Sequence, residues 1–433
     1  MRYQSNELQS QEVGKDMVKT THTTDDVFGI SRELPLNYVS RKNVDEVFID
    51  SLSQGKHIVI YGSSKQGKTS LRKKCLSDND YVVISCQNKW TLADLHAAIL
   101  KSAGFSVKQS TTKTVSGSNK IAVEGSAGFS IPLFGKATAK AGNEDTATDS
   151  ESVTFHELEL DPDSTNDIIR ALEAINFSKF IVLEDFHYLP DDTQRDFSFS
   201  LKAFHESSKF TFIVVAVWRE ENRLIGFNGD LTDRVISVDV DTWGEASLRE
   251  VITDGGMLLN ISFSEEFVQA VLGRAFESVH IVQELCRRAA RGIGIYETQD
   301  VYKVVGEGID VPSLSAEIVS QQTGRYKGFL FGFVDGFQET DLEMPKWIIY
   351  ALLCFPVEEL EKGVRLRTIT RIIKSQHPRG DKLNNGNITQ ILISAASLQN
   401  KKNIRPLVID YDTTNTRLHV VDKGFLGREP INL

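Results

Sequence analysis

Apolar residues follow two rhythms along this chain, and the change from one to the other divides it. Between residues 58 and 240 they form short continuous runs, 58–61 (IVIY), 81–86 (YVVISC), 180–183 (FIVL), 210–218 (FTFIVVAVW) and 235–240 (VISVDV). Runs of this length rich in β-branched residues read as buried strands of a parallel sheet. Helical spacing separates them. Val44, Val47, Phe48 and Leu52 share one face before the first run, and Leu92, Leu95 and Ile99 follow a Thr91/Asp94 cap and stop at Gly104. Ile168, Ile169, Leu172 and Ile175 follow a Ser164/Asp167 cap, and Phe197, Leu201 and Phe204 line a helix over 191–205.

From Trp243 the rhythm is wholly helical. Leu248, Val251 and Ile252 begin one helix, Ser264 opens a second over 265–276, and Ile281, Val282, Leu285 and Ala289 mark a third over 279–290. Another is expected between 313 and 336. The final segment reads as helices over 345–355, 366–375 and 387–399, then a hairpin over 407–422 turning at Thr413–Thr416 (TTNT), which is a winged-helix order.

Two stretches obey neither rhythm. Residues 1–25 are rich in Gln, Ser, Thr and Asp and are expected to be disordered. Residues 105–153 alternate with period two (NKIAVEG, GFSIPLFG, KATAKAG) and end in an acidic, hydroxyl-rich run, so they read as an inserted β-hairpin excursion. It is either a solvated hairpin without a role or, through Phe129, Ile131, Leu133 and Phe134, a contact surface. The expected division is a disordered 1–25, an α/β core over 26–242, a helical lid and linker over 243–336, and a winged-helix domain over 337–433.

The first strand runs into Gly62, Ser63, Ser64, Lys65, Gln66, Gly67, Lys68, Thr69 and Ser70, which matches the phosphate-loop pattern G-x-x-x-x-G-K-[ST]. Glycines at the two ends let the backbone curl so that successive N–H groups point at phosphate oxygens, beside the N-terminus of the next helix. Lys68 is then placed for the outer phosphates and the Thr69 hydroxyl for Mg²⁺. A strand before and a helix after the motif argue against chance.

The run 180–183 ends in Glu184 and Asp185, acids at the carboxyl end of a buried strand, where ligands collect in open α/β sheets. This is the form of a Walker B strand, in which one acid holds Mg²⁺ and the other polarises water. His187, two residues on, reads better as a packing residue than as a phosphate contact. Arg219 ends the next strand and Arg234 precedes the last. Arg234 stands where an arginine finger could reach a neighbouring protomer's site, and Arg219 with Asn222 where a γ-phosphate sensor would sit; structural ion pairs are the plain alternative for both arginines. Arg41, just before a helix, is placed either beside a nucleotide base or simply on the surface.

Composition narrows the setting. With 433 residues, 40% apolar and 25% charged, the chain has room for two or three globular domains. The longest apolar run, 347–355, is too short to span a bilayer and residues 1–29 lack a signal-peptide core, so a cytoplasmic protein with no membrane partner is expected. Cys75, Cys86, Cys286 and Cys354 show no C-x-x-C spacing and read as buried reduced thiols. Net charge is −10, yet residues 345–433 carry 14 Lys and Arg against 8 Asp and Glu. A basic C-terminal domain on an acidic body is compatible with a duplex DNA contact, but the expected recognition helix, with Asn387, Thr389, Gln390, Ser394 and Gln399, holds no Arg or Lys before Lys401. Arg367, Arg371, Lys374, Lys401, Lys402 and Arg405 remain as candidate phosphate contacts.

Taken together, the loop Gly62 to Thr69, the strand IVLEDFH, the Trp218-Arg219 strand end, Arg234, the helical lid and the terminal winged helix resemble the AAA+ and STAND ATPases, including archaeal origin-recognition initiators and bacterial defence ATPases. The resemblance implies a P-loop NTPase fold, ATP and Mg²⁺ as cofactors, ATP hydrolysis, homo-oligomers, and a signalling or defence switch with a separate effector or sensor partner. A DNA-bound initiator, loader or transposition-type ATPase is the alternative it implies, and a scaffold that binds nucleotide without hydrolysing it a third. Two departures from the family, Glu184 preceding Asp185 and His280 near the place of the sensor-two Arg, fit a slow switch better than a motor.

Overall fold

The computed structural model describes residues 20–30, 33–105, 121–122, 159–335 and 342–427. The strands in chain order are β1 His57–Tyr61, β2 Tyr81–Ser85, β3 Ile121–Ala122, β4 Glu159–Leu160, β5 Phe180–Glu184, β6 Phe212–Val215 and β7 Val235–Asp239 in the first part of the chain. The remainder are β8 Ile261–Phe263, β9 Lys303–Val305, β10 Val364–Arg365, β11 Ile409–Asp412 and β12 Arg417–Val420.

β2, β5, β6, β1 and β7 pair in that order into one parallel sheet. β1 and β6 are buried at every position because helices cover both faces of the sheet, while the edge strands β2 and β7 are only partly covered. One apolar layer joins Ile99, Ile168, Leu172, Leu183, Phe197, Phe204 and Phe212 on one face, and a smaller one joins Phe48, Ile58, Ile60, Leu71, Val182 and Val238 on the other. The parallel arrangement brings the carboxyl ends of β1, β5 and β6 to one rim. That rim carries the phosphate loop and the paired acids.

The inserted excursion lies almost wholly outside the described residues, including Phe129, Ile131, Leu133 and Phe134. Within them, β3 and β4 pair antiparallel, Ile121 opposite Leu160.

Two boundaries move. Residues 20–25, expected in a disordered terminus, belong to the fold: Thr23 caps the helix Thr24–Phe28 and the Thr24 N–H donates to the Tyr296 carbonyl at 2.8 Å. Val27, Phe28 and Val39 are buried with Trp243, Leu248, Val251 and Leu285, so this segment completes the lid and not the α/β core. The lid is also not wholly helical, since β8 and β9 form a short parallel pair. Three-residue strands give too little periodicity to read.

Beyond the lid, the expected single helix over 313–336 is two, Val311–Ser320 and Thr323–Val334. The C-terminal unit holds Met344–Cys354, Leu366–Gln376, Asn385–Ile393 and Ala395–Lys401, with β11 and β12 turning at Thr413–Thr416 and β10 beside β12. The expected helix 387–399 breaks at Ser394, and Gln399 is wholly buried, donating to the Ile409 carbonyl at 2.7 Å and accepting from the Val408 N–H at 2.8 Å. A buried Gln that stitches helix to strand is not available to read bases. Of the cysteines, Cys86 and Cys286 are buried, but Cys354 is exposed.

Candidate functional site

The phosphate loop leaves β1 through backbone that only glycine tolerates at two points. A Cβ on Gly62 (φ 144°) would stand 2.8 Å from Asp241 Oδ1, and Gly67 has φ 87° at the start of the helix Lys68–Cys75. Asp241, just beyond β7, holds the loop's shape: it accepts from the Ser63 N–H at 2.7 Å and from the Ser63 hydroxyl at 2.6 Å. Lys68 Nζ donates back to the carbonyls of Ser63 at 2.6 Å and Gly62 at 3.1 Å. Burial pulls its ammonium down to about 8, against the pull of Asp241, Glu184 and Asp185 the other way. A desolvated cation over curled loop amides is suited to an anion.

The two acids of β5 do different work. Glu184 accepts from Arg72 Nε at 3.2 Å, and that guanidinium lies 4.5 Å from the Tyr81 ring centre. Burial raises the Glu184 carboxyl while Arg72 pulls it down. Asp185 takes the left-handed conformation (φ 57°, ψ 30°) and its carboxylate has no hydrogen bond or ion pair among the described residues. Burial raises it, and Lys68 and then Arg405 pull it down.

Gln66, Gly67, Lys68, Thr69, Ser70, Ser64, Lys65, Glu184, Asp185 and Arg41 line one cleft of about 560 Å³, between the sheet rim and the lid. Ser63 supports it from behind. Arg41 is 3% exposed, its guanidinium 3.9 Å over the Trp243 ring and donating to the Val240 carbonyl at 2.7 Å. On the lid side, Gln283 donates to Asn37 Oδ1 at 3.1 Å, and Lys65 Nζ lies 3.1 Å from His280 Nε2. Burial, with Lys65 adding to it, holds His280 neutral at about 4. The cleft thus has a polar floor of phosphate-loop and acidic groups and a wall of ring and amide side chains.

A larger cavity of about 1220 Å³ lies among the helices Val311–Ser320, Thr323–Val334 and Met344–Cys354. It is mostly apolar and holds none of these groups, so chemistry and not size assigns the site.

Arg219 and Arg234 are not brought to this cleft. Arg219 pairs with Asp239 at 3.3 Å and with Asp241, and through Asp241 it supports Ser63 without lining the site. Arg234 sits before β7, at the opposite end of the sheet, paired with Glu206 at 2.8 Å and donating to the Asp230 carbonyl. Within the chain both arginines make structural ion pairs. Sequence reading missed Asp241 and Arg72. Asp241 carried the same signal as Glu184, an acid closing an apolar strand in the run VISVDVD; nothing local marked Arg72.

The C-terminal unit closes directly on the rim. The Ser64 N–H donates to the Val421 carbonyl at 2.8 Å. Asp410, wholly buried, accepts from the Arg219 N–H at 3.2 Å and from Arg223 Nη1 at 2.9 Å. Glu220 Oε1 accepts from the Thr413 hydroxyl at 2.6 Å and from both the Thr414 N–H and hydroxyl, and Arg405 lies 4.2 Å from the Tyr188 ring centre. Arg405 therefore faces the core and is not a free phosphate contact.

The donor set fits ATP·Mg²⁺: the Thr69 hydroxyl and the Asp185 carboxylate offer the hard oxygens that Mg²⁺ takes alongside phosphates and water. No family model matches the chain, and no curated protein does. Among solved structures, the Walker-type ATPase PABY2304 of Pyrococcus abyssi is similar over 93% of this chain and 99% of its own, with TM-score 0.54 and 12% identity. The Orc1 protein of Aeropyrum pernix in complex with DNA (94% and 96%, TM-score 0.41, 9% identity) and Cdc6p of Pyrobaculum aerophilum (94% of each, 0.41, 13%) also match. The chain shares the P-loop fold of that Walker-type ATPase, and no helix among the described residues is long and apolar enough to cross a membrane.

Proposed function

We propose that this chain is an ATP-binding and slowly ATP-hydrolysing switch, in which the state of the phosphate loop governs how the C-terminal unit is seated. The observation that carries the reading is the bond from the Ser64 N–H, within the loop, to the Val421 carbonyl of that unit. Any movement of the loop on filling must be accommodated there. Bound Mg²⁺ would neutralise phosphate charge, with Thr69 and Asp185 as its protein ligands. Lys68 and the loop amides bind and orient the phosphates, Asp185 is placed to orient water, and Glu184 is held by Arg72. Arg41, Trp243, Asn37 and Gln283 form the wall for adenine.

The family resemblance supplies the setting of this switch, a signalling or defence role with a separate effector partner and a homo-oligomeric active form. Arg234 reaches a site only if a neighbouring protomer brings one to it. Solution mass and ATP turnover are therefore measured together, with and without ATP·Mg²⁺, for wild type and Arg234→Ala. Assembly on ATP and loss of turnover in the variant support the oligomeric switch. A monomer whose turnover ignores Arg234 removes the finger and the oligomer together.

A second reading, duplex DNA docking on the C-terminal unit in an initiator-like role, is favoured by one groove. Arg365, Arg367 and Arg417 line it with Thr370 and Asn385, at the first turns of the helices Leu366–Gln376 and Asn385–Ile393. Asp410, Asp412 and Asp422 are buried, so the exposed face of the unit is more basic than its sequence charge. Salt-dependent duplex binding that is lost on Arg365→Glu with Arg367→Glu supports this reading; no binding at low salt ends it.

A further inference from the structure

His187 lies on the short turn Phe186–Tyr188 that follows the paired acids, and it is 3% exposed. Its Nδ1 accepts the main-chain N–H of Val217 at 3.2 Å. A ring nitrogen that accepts carries no proton, so in the neutral imidazole the proton is on Nε2. Nε2 is nonetheless buried without any hydrogen-bond partner among the described residues. A buried donor left unpaired is costly and rare, and this one belongs to a residue that lines the cleft with Lys68, Glu184 and Asp185.

The position says which part of a ligand would satisfy it. The loop amides at the end of β1 would cradle the inner phosphates, with Lys68 reaching from there toward the outer ones. Asp185 and His187 follow the end of β5, two strands away with β6 between, on the side that the outermost phosphate would take. We propose that His187 Nε2–H donates to the terminal phosphoryl oxygen of a bound nucleoside triphosphate and is the contact by which this protein tells triphosphate from diphosphate. This rests on the reading of the cleft as a nucleotide site.

The same residue is tied to the C-terminal unit. The His187 carbonyl accepts from Asn400 Nδ2 at 2.8 Å, and Val217, whose N–H fixes the ring, packs with Leu407 and Val421. A ring drawn toward a phosphate therefore pulls on both the end of β6 and the seat of that unit.

The test is calorimetric titration with Mg·ADP and with Mg·ATPγS on wild type, His187→Ala and His187→Gln, with a melting curve for each. The expected result is a loss of about tenfold or more in ATPγS affinity for His187→Ala with ADP affinity within about twofold, and recovery in His187→Gln, whose amide N–H replaces Nε2–H. Equal losses for both nucleotides, or none for ATPγS, overturn the proposal. Wild type that binds neither nucleotide overturns the nucleotide site itself. Should His187→Ala fail to fold, ¹⁵N-histidine NMR of wild type decides: an Nε2–H resonance that moves with ATPγS but not with ADP supports the contact, and one that moves with neither or equally with both refutes it.

Discussion

Arg223 and Asp410 form a buried ion pair across the joint between the α/β core and the C-terminal unit, Nη1 to Oδ1 at 2.9 Å with side-chain exposures of 13% and 0%. Asp410 also accepts the N–H of Arg219, whose side chain pairs with Asp241 behind the phosphate loop. One carboxylate of the C-terminal hairpin is thus two side chains from the loop.

Asp410→Asn keeps the shape of that joint and removes its charge. Leaving Arg223 buried without a counter-ion is expected to cost about 3 kcal/mol of the docking. The C-terminal unit should become sensitive to limited proteolysis, and release of a fluorescent ADP should quicken severalfold. Unchanged proteolysis and release would show that the pair does not hold the unit down.

Lys68→Ala removes the desolvated cation from the loop. Nucleotide affinity is expected to fall by about two orders of magnitude, while the far-ultraviolet circular dichroism stays that of wild type. Affinity that does not change would sink the nucleotide site.

Asp185→Asn and Glu184→Gln separate the two acids. With Asp185 unpaired and Glu184 bonded to Arg72, Asp185→Asn should retain ATP binding and lose turnover by about a hundredfold. Glu184→Gln leaves Arg72 facing a neutral amide and should lower stability by about 2 kcal/mol, read from the urea midpoint. If Glu184→Gln alone stops turnover at unchanged stability, the roles are reversed.

His57 and His96 make stability fall in acid. His57 Nε2 lies 2.8 Å from the Leu201 carbonyl and its Nδ1 accepts the Phe212 N–H at 3.2 Å, an arrangement open only to the neutral ring. Burial lowers both imidazoles from 6.5 to about 4. The unfolded chain takes up the protons first, so this contribution is complete above pH 6.5 and is lost as pH falls from there toward 4. Each ring accounts for up to about 3 kcal/mol over that window. His57→Gln should flatten the pH dependence of the urea midpoint by its share; an identical slope would refute the assignment.

The elements that were legible in the sequence are those whose cause is local. Gly62, Gly67, Lys68 and Thr69 declare the phosphate loop because curled backbone, cation and hydroxyl all belong to one short stretch. The runs of β1, β5 and β6 show themselves because a strand covered on both faces has no polar alternation. The same locality explains the misses. Ser394 breaks a helix whose apolar pattern continues through it, and β8 and β9 are too short to carry a period.

From its residues alone this protein is an α/β phosphate-loop chain with acids at the rim, a mainly helical stretch after Trp243 and a basic C-terminal unit, since periodicity and motif spacing are properties of neighbours in sequence. Which acid is free, which arginines reach the cleft and what holds the His187 ring were decided only in three dimensions. Arg72 meets Glu184 across 112 positions, Ser63 meets Asp241 across 178 and Arg223 meets Asp410 across 187. Such pairings depend on the order in which strands join the sheet and on how the C-terminal unit closes over its rim, and no local pattern encodes either.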